Sequence, residues 1–333
     1  MNTLTQNHDV RQLGKTGPKV FPIALGCMGL SGMYGETNDD AGIATVQAAI
    51  ERGVTLLDTG DFYGMGHNEL LVGRAIRGRR DKVQLSVKYG GMRSPDGAFI
   101  GIDTRPVATA NFLAYTLKRL NVDVIDIYRP ARLDPNVPIE ETIGALADLV
   151  KRGYIKHIGL SEVGPDTIRR AAKVHPIVDL QIEYALVSRE PEKKVFPTLN
   201  ELGISATLYG VLSRGLLSGS RPSGQGDYRA HLPRFSAENQ AQNTRVVDAL
   251  DKFAKERGMT KGQVAIAWAL AKAPGFVPVI GARTVAQLQD TLSTLEHPLS
   301  AADVAALEAI VPASAIAGTR YDASQMAMLD SER

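Results

Sequence analysis

Residues 124–160, VIDIYRPARLDPNVPIEETIGALADLVKRGYIKHIGL, form one complete predicted strand–helix–strand unit. The runs 124–128 and 155–160 are rich in β-branched and other apolar residues, which is typical of strands buried on both faces of a parallel sheet. Pro138 can open a helix between the two strands, and Gly153 can close it. The apolar face of this helix consists of Ile143, Leu146 and Val150. Two strands joined through a helix predict parallel pairing with a right-handed crossover.

The same unit recurs along the whole chain. Predicted strands lie at 23–26, 54–57, 83–87, 124–128, 155–160, 178–182, 204–208 and 277–280. Eight such units favour a closed (β/α)₈ TIM barrel over a doubly wound open sheet. We also expect an N-terminal β-hairpin at 11–22, a long irregular loop at 218–239 after the seventh strand, and a C-terminal tail at 312–333. Because no shift in composition marks a boundary, we expect residues 1–333 to form a single domain.

Composition and charge exclude several classes of protein. The 333 residues are 44% hydrophobic, which is too rich for a disordered chain. A net charge of +2 argues against nucleic acid as the main partner. With Cys27 as the single cysteine, an internal disulfide and a multi-cysteine metal site are excluded. No apolar run approaches the ~18–20 residues of a membrane span, and residues 1–14 do not resemble a signal peptide. We therefore expect a cytoplasmic protein that binds no membrane.

Several familiar site motifs are incomplete in this sequence. Residues 64–69, GMGHNE, lack the third glycine of a dinucleotide-binding fingerprint. Residues 159–163, GLSEV, lack the last glycine of a nucleophile elbow. The six histidines are scattered along the chain, so we expect no metal site. Phosphate-loop chemistry and zinc hydrolysis are therefore not predicted.

Groups able to transfer protons occur where the second and third predicted strands end. Asp58 and Lys88 end these strands, and Tyr63 lies in the loop after Asp58. Functional residues of (β/α)₈ barrels lie at this end of the strands. One interpretation is a structural Asp58–Lys88 salt bridge with Tyr63 as loop packing. The other is a proton-transfer site, in which Lys88 lowers the pKa of the Tyr63 phenol from ~10 and Asp58 holds Lys88 charged.

Five motifs, taken in chain order, resemble the signature of the aldo-keto reductase family. They are LDTGDFYG (57–64) with NELLVG (68–73), VKYG (87–90), IGLSE (158–162), YGVLSRG (209–215) and IGAR (280–283) with Gln287 and Asp290. The resemblance extends from about residue 13 to residue 321. It implies a (β/α)₈ barrel with an N-terminal hairpin. It also implies reversible hydride transfer between a nicotinamide cofactor, usually NADPH, and an aldehyde or ketone substrate.

The resemblance also implies roles for individual residues. Tyr63 matches the general acid, with Lys88 and Asp58 as the pair that tunes it. The residues that match the cofactor site are Ser161 and Gln181 at the carboxamide, Tyr209 against the nicotinamide ring, Gly210, Leu212 and Arg214 at the pyrophosphate, Gly281, Arg283 and Gln287 around the adenosine 2′-phosphate, and Asp290 near the adenine. Arg283 opens a helix after the eighth strand, which favours NADPH over NADH. Loop 218–239 is then expected to cover the cofactor.

The chain departs from the family pattern after the fourth strand. Most members carry a histidine that orients the substrate carbonyl, and Ala131 stands in its place, as in the pyridoxal reductase-like branch. Its loss is expected to weaken positioning in the transition state. Arg129, predicted to lie at the barrel mouth, is a candidate for recognising a phosphate or carboxylate. Two other functions stay open: an NADPH-binding regulatory subunit with weak or no turnover, and a Schiff-base lyase that uses Lys88.

Overall fold

The computed structural model of the protein describes residues 10–222 and 226–333. Its strands are β1 (Arg11–Gln12), β2 (Lys19–Val20), β3 (Ala24–Gly26), β4 (Leu56–Gly60), β5 (Gln84–Tyr89), β6 (Gly91–Arg93), β7 (Phe99–Ile102), β8 (Ile125–Pro130), β9 (Ile155–Ser161), β10 (Ile177–Glu183), β11 (Ser205–Tyr209) and β12 (Val277–Gly281). Its helices are α1 (Asp39–Glu51), α2 (His67–Ala75), α3 (Pro106–Leu120), α4 (Ile139–Lys151), α5 (Pro165–Val174), α6 (Val195–Leu202), α7 (Ala237–Lys255), α8 (Lys261–Lys272), α9 (Val285–Ser293), α10 (Ala301–Ile310) and α11 (Ala323–Ala327).

Eight of the described strands form a closed parallel barrel in the order β3-β4-β5-β8-β9-β10-β11-β12. The last barrel strand pairs with the first, with Gly281 opposite Gly26. Helices alternate with these strands along the chain. The predicted (β/α)₈ TIM barrel is therefore confirmed. No helix in the described parts of the chain is long and apolar enough to cross a membrane.

The predicted N-terminal hairpin is also confirmed, and it covers the amino-terminal end of the barrel. Strands β1 and β2 pair antiparallel, with Arg11 opposite Val20. Leu13 and Val20 belong to the same buried cluster as residues that face the barrel interior, which include Leu56, Ile127 and Val277. This end of the barrel is therefore filled with apolar side chains, and the predicted catalytic residues lie toward the other end.

The barrel strands extend further than their apolar runs indicated. Strand β4 continues to Gly60, β5 to Tyr89 and β8 to Pro130. The predicted ends fall two or three residues earlier because polar side chains interrupt the apolar pattern there. These side chains, among them Asp58 and Lys88, are buried with partners inside the barrel. Buried polar pairs, which sequence patterns do not reveal, allow the strands to continue.

The irregular loop is shorter than predicted. Within 218–239, residues 223–225 lie outside the described residues, and α7 already begins at Ala237. Two short 3₁₀ turns, Tyr228–His231 and Pro233–Phe235, lie between them. We call residues 226–236 the flap. A second hairpin, β6 with β7, follows the third barrel strand and was not predicted.

Candidate active site

The carboxyl ends of β4 and β5 bring together the three predicted catalytic residues. Parallel pairing sets Gly60 opposite Lys88, so the lysine lies beside the turn that follows β4. Lys88 Nζ lies 2.5 Å from Asp58 Oδ1, with the two side chains 5% and 6% exposed. It also lies 5.1 Å from the centroid of the Tyr63 ring. Asp58, Tyr63 and Lys88 therefore form one buried cluster.

The electrostatics of this cluster differ from the sequence-based expectation. Burial, followed by the negative charge of Asp58, raises the pKa of Tyr63 well above its ordinary value, while the charge of Arg132 lowers it in part. Burial lowers the pKa of Lys88, and the contact with Asp58 opposes this. The prediction of a lowered phenol pKa is therefore wrong for this structure, because burial and the charge of Asp58 outweigh the nearby cations. Tyr63 keeps its proton at neutral pH.

Below this cluster, Arg129 lies inside the barrel and not at its mouth. The side chain is fully buried and donates through Nη1 to Asp179 Oδ2 at 2.9 Å. Through Nη2 it donates to Ser86 Oγ at 2.9 Å. Side chains alternate along a strand, and Ile127, two residues earlier, also faces the interior. This alternation was the available signal. The expectation that Arg129 recognises a substrate anion at the mouth is wrong.

The Arg129–Asp179 ion pair belongs to a connected set of hydrogen bonds that also holds Asp58. Asp58 Oδ2 accepts from Ser86 Oγ at 3.0 Å and from Gln181 Nε2 at 2.8 Å. Thr207 Oγ1 donates to Asp179 Oδ2 at 2.6 Å and is 3.4 Å from Gln181 Nε2. We call this set the polar ring; it consists of Asp58, Ser86, Arg129, Asp179, Gln181 and Thr207. Five barrel strands contribute to it, so it fixes the Asp58 carboxylate from several directions.

The barrel mouth, where the strands end, is occupied by charged side chains of the C-terminal tail. Glu162 Oε1 accepts from Tyr209 Oη at 2.7 Å, from Arg320 Nη1 at 2.9 Å and from the Glu183 N–H at 2.9 Å. Its Oε2 accepts from Arg320 Nη2 at 2.8 Å and from Ser331 Oγ at 2.6 Å. Burial alone would raise the pKa of Glu162, but the bonds and charge of Arg320 bring it down to about 2.

Sequence reasoning missed this network. Its available signal was a pair of acids, Glu162 and Glu183, at the ends of neighbouring strands with no cation assigned to them. Two adjacent buried carboxylates require a positive partner. The partner, Arg320, directly precedes Tyr321 in the tail that the resemblance already included.

The predicted nicotinamide and pyrophosphate residues gather at this mouth, and their polar atoms bind other protein groups. Ser161 ends β9 and lies 3.5 Å from Arg132 Nη1. Tyr209 Oη lies 3.0 Å from Tyr321 Oη. Arg214 donates to Glu183 Oε2 at 2.8 Å, and its guanidinium lies 4.3 Å from the Tyr321 ring centroid. Tyr321 thus covers the groups expected to meet the nicotinamide.

The loop that contains Arg214 has an unusual backbone. Gly210 has φ +68°, and a Cβ there would lie 2.9 Å from Glu183 Cγ, so both conformation and space require glycine. Arg214 itself has φ +56°. Leu212, between them, packs against the hydrophobic core. This turn presents Arg214 to the mouth at the cost of a strained backbone.

The residues predicted to bind the adenosine end lie at the start of α9. Thr284 caps the helix, and the Arg283 N–H donates to Gln287 Oε1 at 2.8 Å. Arg283 Nη1 donates to the Tyr34 carbonyl at 3.0 Å. Gly281 and Gln287 are exposed. An exposed helix N-terminus beside a guanidinium suits a phosphate dianion, so these residues fit the phosphorylated end of NADPH.

Asp290 lies one helical turn further on and faces α8. Its Oδ1 accepts from Gln263 Nε2 at 3.0 Å, and Thr260 Oγ1 lies 3.5 Å from its Oδ2. Thr260 and Gln263 form the capping box of α8. In this structure Asp290 therefore joins two helices and is not directed toward the other predicted cofactor residues.

A model of the aldo/keto reductase family matches residues 22–312. The chain belongs to this family. Aldo-keto reductases are NADPH-using oxidoreductases that generally reduce carbonyl groups, and this chain is an oxidoreductase of that kind. The match spans every barrel strand, from β3 to β12.

Individual relatives agree with this assignment along almost the whole chain. A probable aldo-keto reductase from Glycine max is 38% identical over 316 residues, which are 93% of this chain and 91% of the relative. An aldo-keto reductase of Schizosaccharomyces pombe, named for NADP(+), is 36% identical over 92% of this chain and 93% of its own length.

Solved structures give the same result. A glycerol dehydrogenase from Gluconobacter oxydans superposes with a TM-score of 0.82 at 27% identity, covering 92% of this chain and 95% of that one. The holo form of an aldo-keto reductase from Bacillus halodurans has a TM-score of 0.77, also at 27% identity, with 92% and 97% covered.

Proposed function

We propose that this aldo-keto reductase reduces an aldehyde or ketone with Tyr63 as general acid. The observation that supports the proposal is the buried cluster of Asp58, Tyr63 and Lys88 at the ends of β4 and β5. NADPH, when bound, supplies the hydride. We further propose that residues 1–333 act as a single domain.

The raised pKa of Tyr63 suits the direction of reduction. At neutral pH the phenol is protonated and can donate to the carbonyl oxygen as the alkoxide forms. Lys88, 5.1 Å from the ring centroid, stabilises the phenolate that remains. Asp58 holds the lysine in place, and the polar ring holds Asp58.

The cofactor is proposed to lie along the barrel mouth from β9 to β12. Ser161 and Gln181 would hold the carboxamide, and Tyr209 would stack on the nicotinamide ring. Gly210, Leu212 and Arg214 would contact the pyrophosphate, Gly281, Arg283 and Gln287 the 2′-phosphate, and Asp290 the adenine. Arg214 and Tyr321 contact each other across this path, so binding requires the tail to shift.

Replacing the acid tests the proposal. We expect Tyr63→Phe to lower kcat/KM for carbonyl substrates roughly 10²–10⁴-fold while NADPH still quenches the intrinsic fluorescence. The control is Tyr115→Phe, because Tyr115 is 58% exposed on α3. Parent-like turnover by Tyr63→Phe would remove the assigned role. Tight NADPH binding without turnover of any carbonyl by the parent would instead support the regulatory subunit.

A further inference from the structure

Arg132 differs from most arginines around the mouth and flap. Arg214 and Arg234 lie beside Glu183, Arg229 pairs with Asp227, and Arg320 pairs with Glu162. Among the described residues, no carboxylate oxygen lies within 4.0 Å of the Arg132 guanidinium. Arg283 also has no ion pair among these residues, but it lies at the adenosine end and donates to the Tyr34 carbonyl. Arg132 is therefore the unpaired positive charge that follows β8, next to Ala131.

The nearest acid is already fully engaged. Glu162 is close enough for its charge to act on Arg132, but its two oxygens accept five hydrogen bonds from other donors. A carboxylate offers about four lone-pair sites. Glu162 therefore has no lone pair left for Arg132.

The contacts that Arg132 does make use little of its donor capacity. Nη1 donates to the Ala131 carbonyl at 2.6 Å. The contacts of Nη1 with Ser161 Oγ and of Nη2 with Tyr321 Oη are 3.5 and 3.4 Å long, at the weak limit of hydrogen bonding. The residue is half-buried.

Arg132 lies two residues after β8 and contacts Ser161 Oγ, a residue predicted to hold the nicotinamide. Its positive charge also acts on Tyr63 and Lys88. The preceding residue, Ala131, has no side chain that extends toward the substrate, although most relatives are expected to carry a histidine there. A guanidinium forms paired, charge-assisted hydrogen bonds with a carboxylate, and such pairs fix orientation as well as position.

We propose that Arg132 binds the carboxylate of the substrate and that the enzyme reduces 2-oxo acids to 2-hydroxy acids. This inference rests on the proposed function. The carboxylate stays unchanged: the hydride of NADPH forms the new C–H bond at the carbonyl carbon, and the C=O π electrons take the proton of Tyr63. Arg132 thereby supplies the positioning that the missing histidine would give.

The test compares each acid with its own ester. NADPH oxidation is followed with phenylglyoxylate and pyruvate, and with the methyl ester of each. Because the ester carbonyl is the more electrophilic, a preference for the acid must come from binding. We expect the parent to favour the acids, and Arg132→Met to lower kcat/KM for the acids at least about tenfold more than for the esters, which lose only the effect of the Arg132 charge on Tyr63. Arg132→Lys should recover part of the loss.

Three measurements keep the interpretation clear. Arg152→Met, at an exposed arginine that ends α4, is the matched control and should behave as the parent. Thermal unfolding and NADPH binding show whether Arg132→Met folds. Calorimetric titration of phenylglyoxylate into NADPH-loaded protein reports binding without turnover; binding by the parent that Arg132→Met loses supports the inference.

Other outcomes overturn it. An equal loss on acids and esters would assign Arg132 to the carbonyl or to the fold and not to a carboxylate. Reduction of uncharged aldehydes without reduction or binding of 2-oxo acids would refute the inference and leave the proposed function standing. If no carbonyl is reduced and phenylglyoxylate does not bind, both fail.

Discussion

At the scale of single residues, Asp61 shows how burial raises the pKa of a carboxyl group when one of its oxygens has no hydrogen-bond partner. Asp61 directly follows β4, two residues before Tyr63, and it is 7% exposed. Its Oδ2 accepts from the Gly90 N–H at 3.2 Å, but its Oδ1 has no hydrogen-bond partner in the structure. Burial therefore raises the pKa of Asp61 to about 7. The ionised form is the costly one in the folded protein.

This shift gives stability a pH dependence of known sign. Asp61 binds a proton more readily in the folded state, so its contribution is fully present below pH ~4 and is lost as pH rises through about 7. The variant Asp61→Asn removes the charge and keeps the acceptor for Gly90. We expect it to be more stable than the parent by about 2–4 kcal/mol at pH 8 and nearly equal at pH 4. Urea unfolding across this range measures the difference.

The exposed Asp123→Asn variant is the control for a change of charge without burial. A stability difference for Asp61→Asn that stays the same from pH 4 to pH 8 would contradict the raised pKa.

The sequence predicts residue identities at this site better than their electrostatics. Asp58 and Lys88 were found because strand ends are where barrels place functional groups. The pKa of Tyr63 was predicted in the wrong direction because it depends on burial within the folded barrel and on the charges of distant residues, among them Tyr321 in the tail. Effects from residues more than 200 positions away leave no local pattern in the sequence.

At the scale of elements, the flap is joined to the loop that follows β3. The Tyr228 N–H donates to the Met33 carbonyl at 3.3 Å. Arg229 pairs with Asp227, and its guanidinium lies 5.3 Å from the centroid of the Tyr34 ring. These contacts join the flap to the loop after β3, and Arg283 reaches the same loop through the Tyr34 carbonyl. The flap therefore borders the proposed adenosine end of the cofactor path.

We expect NADPH to slow proteolysis within 218–239. If the nucleotide binds only under a closed flap, a concentration about 100 times its Kd would reduce cleavage through the open state by up to about 100-fold. Limited digestion with a protease of broad specificity, followed by mass spectrometry, measures the rate. Arg229→Met should be cut faster both with and without NADPH, since it lacks the Asp227 pair. Cleavage that NADPH leaves unchanged would show that the loop does not cover the cofactor.

Helices and strands were predicted correctly where a short stretch of sequence carries a clear signal for them. All eight barrel strands have β-branched runs, and α8 begins at the Thr260–Gln263 capping box. The start of α7 was placed too late because Ser236 makes no side-chain capping bond. Strands β6 and β7 were missed because they have only three and four residues, too few to show a strand pattern. Short hairpins of this kind are stabilised by their neighbours more than by their own residues.

At the scale of the whole molecule, the polar ring joins five barrel strands through charged and hydroxyl groups. Arg129 on β8 and Asp179 on β10 are both 0% exposed. A buried ion pair of this kind is a weak source of stability, because desolvation offsets the attraction between the charges. Its position beneath Asp58 indicates that the pair serves the geometry of the site.

Substitution can separate the effect of the Arg129–Asp179 pair on stability from its effect on activity. We expect Arg129→Met with Asp179→Leu to leave the free energy of unfolding unchanged or raise it by about 1–4 kcal/mol. The single change Asp179→Leu should lower it by about 3–5 kcal/mol, because Arg129 would remain buried and unpaired. Denaturant unfolding measures both values. The double variant should nevertheless turn over carbonyls more slowly, since Ser86 loses its bond from Arg129 and Thr207 loses its bond to Asp179. Full activity in the double variant would show that the ring does not position Asp58.

The arrangement of the mouth also has a consequence for the order in which the protein is made. Glu162 precedes its arginine, Arg320, by 158 residues. At a synthesis rate of about 5–20 residues per second, roughly 8–30 s separate the two on the ribosome. During that interval the last three barrel strands, β10 to β12, are translated, while the acid at the mouth still lacks its counter-charge. Sealing of the mouth by the tail is therefore a late event in the biogenesis of the enzyme, and a nucleotide present during translation meets the cofactor path before the tail does.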